Sequence, residues 1–119
     1  MTKKDLGIFI EHIIESIGLI DKYVEKISKE EFSKRKDIQD SVTRRIEIIG
    51  ETVKNLHKDV IAKYSAVPWK EIIETRNKLI HHYFGVDLDT IWSIAKKDLP
   101  SLKKQILKIK ADLEKGNYL

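Results

Sequence analysis

The chain of 119 residues contains no cysteine, which excludes disulfides and thiolate metal sites. No apolar run approaches the roughly 18 residues needed to span a membrane. The start, MTKKDLGIFIEHIIES, is basic and then apolar like a signal peptide, but Glu11, His12 and Glu15 interrupt its apolar part. These features together predict a soluble, cytoplasmic protein with no membrane association. Also missing are a glycine-rich phosphate loop, a Ser/His/Asp order, a paired-carboxylate motif, an internal repeat, a low-complexity tract and any convincing strand. With 41% hydrophobic residues the chain can build one modest core, and a single domain over residues 1–119 is expected.

What the sequence does contain is helical periodicity. Thr2 with Asp5 forms a capping-box start, and Leu6, Phe9, Ile10, Ile13, Ile17, Ile20 and Val24 recur at helical spacing to about Ile27. A polar segment, 28–36, leads to a second helix carrying Ile38, Val42, Ile46, Ile49, Val53 and Leu56 on one face. Gly50 costs that helix roughly 1 kcal/mol relative to alanine, so its presence predicts close approach by a neighbouring backbone. A short helical piece near 59–64 precedes Pro68, which suits the first turn of a third long helix. Gly85 is expected to end that helix and Asp87 to cap the next, and Pro100 to kink or divide a final helix over about 88–114. The architecture expected is an all-α, up-and-down bundle of four to five helices.

The net charge of +4 arises from 23 basic and 19 acidic residues. Between residues 96 and 115, seven lysines stand against Asp98, Asp112 and Glu114. That local excess suits a phosphate backbone, although taken alone a solvated lysine face is the commoner source of such a run, so the excess only supports an RNA reading argued from elsewhere.

The stretch RNKLIHHYFGVD, residues 76–87, places an arginine where leucine would be expected. At about 100° per residue, Trp69, Ile72, Ile73, Ile80, Tyr83 and Phe84 form an apolar stripe with Arg76 near its middle. Asn77 and His81, four apart, share one edge of that stripe, and Tyr83 lies seven residues after Arg76. One surface thus offers a fixed cation, an amide, an imidazole and a phenol. The bland alternative is that Arg76 snorkels from a core or pairs with a carboxylate, and that His81 is an ordinary helix-edge histidine.

The order Arg, four residues, His, one residue, Tyr resembles the HepT-like ribonuclease toxins of the HEPN superfamily. RRIEIIGETVKNL (44–56), VPWKEIIETRNKLIHHYFGVD (67–87) and the later Ile91, Trp92 and Asp98-Leu99-Pro100 fit the same family. The likeness covers the chain from about Asp37 onward and is weaker over the first helix. It implies a metal-independent endoribonuclease without cofactor, in which Arg76 stabilises charge on the phosphate and His81 transfers protons. Asn77 would orient the imidazole or bond the phosphate. Tyr83 would accept AMP from a minimal nucleotidyltransferase (MNT) antitoxin, the off switch of a HEPN/MNT toxin-antitoxin system.

Arg76 and His81, five apart, project about 140° from each other on an ideal helix, so one helix does not bring them fully together. The resemblance implies a homodimer whose shared cleft collects both residues from two protomers. His82 points about 100° from His81 and is read as solvent-exposed or as an RNA contact. Adjacent histidines cannot share a metal as an i, i+4 pair would. Glu51 either supports the dimer or pairs with an arginine, and Arg45 is expected to bridge to a carboxylate. The alternative function is a non-catalytic helical module that binds a nucleotide or the nucleotidyltransferase partner in the same cleft.

Overall fold

A computed structural model of the chain describes residues 1–81 and 87–116. Among them the elements are all helical: α1 (Lys3–Val24), α2 (Lys29–Lys34), α3 (Lys36–Lys54), α4 (Lys58–Lys63), α5 (Trp69–His81), α6 (Leu88–Ser93), a π turn (Ile94–Asp98) and α7 (Leu99–Glu114). The all-α bundle expected from the periodicity is the fold observed. No described helix is long and apolar enough to cross a membrane.

The capping box at the start of α1 forms as the sequence requires: the Asp5 amide donates to Thr2 Oγ1 at 3.0 Å, and the Thr2 amide donates to Asp5 Oδ2 at 3.3 Å. Leu6, Ile10, Ile13, Ile17, Ile20 and Val24 are buried, at alternating spacings of four and three that keep them on one stripe. α3 packs between α1 and α5, and α7 packs across α1. Val42, Ile46, Ile49 and Val53 of α3 are buried, and Leu56 is buried just beyond the helix end.

The polar segment 28–36 holds an element that its composition does not announce. Ser28 caps α2 by accepting from the Glu31 amide at 3.0 Å. The one large apolar residue of α2, Phe32, is 1% exposed. Its ring lies 5.2 Å from that of Trp92 on α6, tilted by 44°, and its carbonyl accepts from Gln39 Nε2 at 2.8 Å. A six-residue helix cannot hold itself together in water; burial of Phe32 supplies what its length cannot.

Residues 64–69 are pinned ahead of α5. Trp69, 5% exposed, donates from Nε1 to the Tyr64 carbonyl at 2.9 Å, and Gln105 on α7 donates to the Ala66 carbonyl at 3.0 Å. The Tyr64 hydroxyl donates to Asp112 Oδ2 at 2.8 Å. Burial, together with that bond and the Asp112 charge, pushes the Tyr64 phenol up to about 12. A raised folded pKa stabilises the fold fully below the unfolded value near 10, and that stability is lost as pH rises through the folded value. Wild-type protein is therefore expected to lose thermal stability between about pH 10 and 12. Tyr64→Phe should be less stable than wild type at neutral pH and flatter across that interval; identical pH profiles for the two proteins would contradict the assignment.

The final helix is divided, though not by a simple kink. Asp87 caps α6 by accepting from the Thr90 amide at 2.7 Å. The chain then widens into the π turn before Pro100 enters at the first turn of α7. Proline has no amide hydrogen and crowds the carbonyl four residues earlier. A wider turn ahead of it accommodates the proline while the backbone stays helical from α6 into α7. One other expectation needs correction: α1 ends at Val24 rather than near Ile27. The expected termination at Gly85 lies outside the described residues.

Candidate active site

The observed stripe of α5 is rotated slightly from the expected one. Trp69 and Leu79 are buried, at 5% and 3% exposure, while Ile80 is 44% exposed. Ile72 and Ile73 are partly buried against the core. The inward line therefore runs 69, 72, 76, 79, with Arg76 on it, while Ile80, a member of the expected apolar stripe, faces solvent. The reason is that α5 packs chiefly on α3, a single neighbour, which covers a narrower strip than an ideal amphipathic stripe.

α3 accommodates Arg76 through a glycine. A Cβ at Gly50 would overlap the Cβ of Arg76 and lie 2.7 Å from its Cγ and 3.4 Å from the Ile72 carbonyl oxygen. The close approach expected at Gly50 is thus made by Arg76 and the α5 backbone around Ile72. The stem of Arg76 lies on the glycine, and the guanidinium extends past it along the edge of α3.

There Glu51, the next residue, meets it. Arg76 Nη2 donates to Glu51 Oε2 at 2.5 Å, and Arg76 Nη1 donates to Asn77 Oδ1 at 3.0 Å. The Arg76 side chain is 15% exposed and that of Glu51 52%. Arg76 Nε is buried and makes no hydrogen bond to any described residue. Burying an uncompensated charge is costly, and Glu51 offsets that cost while staying half in water. A pair so exposed contributes on the order of 1 kcal/mol or less to stability, so its main consequence is orientation. Of the guanidinium's five N–H groups, one on each Nη is engaged by a described residue.

The remaining sequence-derived residues fall as follows. Asn77 is exposed and engages Arg76, not His81. His81 ends α5 with its side chain exposed. Among the described residues no hydrogen bond or ion pair joins it to Arg76, in keeping with their five-residue separation. Ile73, Asn77 and Ile80, spaced by four and three, share one flank of the helix, and His81 continues from Asn77 along it. His82 and Tyr83 lie outside the described residues, as does Phe84. The carboxylate bridge expected of Arg45 is not formed among the described residues; its neighbour Arg44 pairs instead, with Glu47 at 3.5 Å. Glu51 takes the second of its two expected roles, pairing with an arginine. His57 caps α4, its Nδ1 accepting from the Asp59 amide at 3.1 Å.

A groove among the described residues lies elsewhere. On the opposite flank of α5, Glu71, Ile72 and Thr75 line a concavity of about 650 Å³ with Ile46 and Ile49 of α3 and Lys97, Ser101 and Gln105 beside α7. Arg76, Asn77 and His81 do not line it. The cation, amide and imidazole lie instead on an open helix surface.

Comparison with known proteins agrees with the motif. The family model described as "Ribonuclease HepT-like" matches residues 13–109. The chain is 50% identical over 114 residues to a protein of Methanocaldococcus jannaschii named as a gamma-glutamylcyclotransferase and, provisionally, an RNase. That match covers 96% of this chain and 51% of the relative, so the chain spans about half that protein's length. A second M. jannaschii protein, provisionally named an RNase, is 42% identical, with 96% of this chain and 94% of the relative covered. A Thermococcus cleftensis protein named as a probable ribonuclease HepT is 41% identical, with 86% and 93% covered. No solved structure matches the chain significantly. With the motif on α5, the helical fold and these relatives in agreement, the chain belongs to the HepT-like ribonuclease family.

Proposed function

We propose that this protein is the toxin of a HEPN/MNT toxin-antitoxin pair, a metal-independent endoribonuclease that cuts RNA in a cleft shared by two protomers. The observation that carries this reading is the placement of Arg76. A guanidinium is directed by Glu51 and Asn77 onto the α5 flank that also presents exposed His81.

RNA carries its own nucleophile. One His81 imidazole takes the proton of a 2′-hydroxyl as its oxygen bonds to the adjacent phosphorus. The bond from phosphorus to the 5′-oxygen breaks, and that oxygen takes a proton from the His81 of the other protomer. The products are a 2′,3′-cyclic phosphate and a 5′-hydroxyl. Histidine suits both steps because its ordinary pKa is near neutrality. Arg76 suits the phosphate because its planar fork binds two oxygens. The exposed Ile80, with Ile73 beside it, gives this flank apolar surface for a two-fold contact. Asn77 supports Arg76, and His82 contacts RNA.

Regulation follows the family resemblance. A minimal nucleotidyltransferase antitoxin transfers AMP from ATP to the Tyr83 hydroxyl and releases pyrophosphate. The added phosphate and purine occupy the place of substrate beside Arg76.

Purified protein free of nucleotide modification should scatter light as a dimer at micromolar concentration. It should cut RNA in EDTA and leave cyclic phosphate ends. A strict monomer, or a dimer that leaves RNA intact, would sink this reading and favour the binding-module alternative. Co-expression with the cognate nucleotidyltransferase should add AMP to the peptide carrying Tyr83, and Tyr83→Phe should lose it. Modification mapped to Tyr23, Tyr64 or Tyr118 would refute the regulatory half.

A further inference from the structure

We infer that Glu51 is a positioning residue for Arg76 and that Gly50 provides the clearance through which Arg76 reaches it. The inference rests on the ribonuclease reading above for its catalytic consequence, and on the α3–α5 crossing for its geometry.

An arginine whose stem is buried has several rotamers open to its guanidinium, and on an open flank most of them turn toward water. Here two nitrogens are each held by a different element. Nη2 donates to Glu51 on α3 and Nη1 to Asn77 on α5. Asn77 moves with Arg76, because the two are adjacent on one helix. Among the described residues only Glu51 ties the fork to a second helix, and so it is Glu51 that sets its direction relative to the rest of the bundle. The neighbouring acid one turn earlier on α3, Glu47, faces Arg44 at 3.5 Å, which leaves Glu51 as the carboxylate engaging Arg76 among the described residues.

Burial separates this arrangement from an ordinary surface ion pair. Arg76 is 15% exposed and Glu51 52%; the arginine is the enclosed partner, and the carboxylate reaches it from the solvent side. Gly50 completes the device. Any side chain there would displace the Arg76 stem at its Cβ and Cγ, which are its rigid end. The helix accepts the propensity cost of glycine, and in return the arginine passes over it to Glu51. The consecutive pair Gly50-Glu51 thus clears the path and fixes the end point.

The test compares Glu51→Ala with Glu51→Gln, which keeps a hydrogen-bond acceptor without the charge. In protein with ¹⁵N-labelled arginine, the buried Arg76 Nε–H should give a distinct, slowly exchanging resonance. Glu51→Ala should broaden or average it; Glu51→Gln should keep most of it. On an RNA oligonucleotide, Glu51→Ala should lower kcat by roughly 10-fold or more with a small change in KM, since misplacing a charge-stabilising group by about 1 Å costs up to 10²-fold. Glu51→Gln should restore most of that loss. Gly50→Ala, with Glu51 intact and helicity checked by circular dichroism, should show the same kcat defect.

An Arg76 resonance and a kcat both unchanged in Glu51→Ala would overturn the inference. The two readouts separate the failures. A wild-type dimer that cuts no RNA, yet whose Arg76 resonance collapses in Glu51→Ala, refutes the ribonuclease reading and leaves the positioning contact standing.

Discussion

Arg76→Ala and His81→Ala should each lower RNA cleavage by at least about 10²-fold while the circular dichroism spectrum stays helical. The magnitude follows from the separate roles. A positioned general acid or base contributes roughly 10²–10⁴-fold, and loss of a preorganised charge-stabilising donor costs about 10²–10³-fold in kcat. The two substitutions differ in their structural cost. His81 is exposed at the end of α5, so its truncation leaves the core intact and the loss reads directly as chemistry.

Arg76→Ala removes a stem that lies on Gly50 and leaves Glu51 without its partner. Glu51 is half-exposed and remains solvated, so the fold survives with a modest loss of stability. His82→Ala should weaken cleavage far less than either. If both alanine variants retain full activity, the assignment of this flank as the catalytic surface fails, whatever the family does elsewhere.

Phe32→Ala should cost about 3–5 kcal/mol, the range for emptying a buried aromatic position. The melting temperature should fall by something on the order of 10–20 °C in a domain of this size. Phe32 is the buried residue of α2, and its ring contact with Trp92 fastens that element to α6. A urea or thermal melt checks the figure. A loss under about 1 kcal/mol would mean that α2 is an ornament and that α6 is held in another way.

Much of this was legible in the sequence, for identifiable reasons. The stripes of α1 and α3 are long and regular, so spacing alone gave their inward faces. The capping motifs at Thr2 and Asp87 are local, and local chemistry is readable from adjacent residues. Gly50 was readable as a close approach because a glycine inside a strong helix has a cost that something must offset. What faced it was not readable, since nothing in α3 names Arg76, twenty-six residues away. α2 escaped notice because one phenylalanine among charged residues has no periodicity to detect.

The sequence by itself determined the helical class and the positions of the long helices, because periodicity and caps are properties of neighbouring residues, and the family resemblance was carried by several short segments read together. Tertiary structure decided which side of α5 is inward, placing Leu79 in the core and Ile80 in water, because one packing neighbour covers less of a helix than an ideal stripe assumes. It also decided where the guanidinium of Arg76 ends. A charge half-sunk in a bundle must find a carboxylate that folding brings within reach, and the α3–α5 crossing supplies Glu51. The imidazole and the guanidinium remain apart on one chain because five residues of helix separate them by a large angle. That separation follows from the helix alone, and it is the physical reason the proposed chemistry calls for a second protomer.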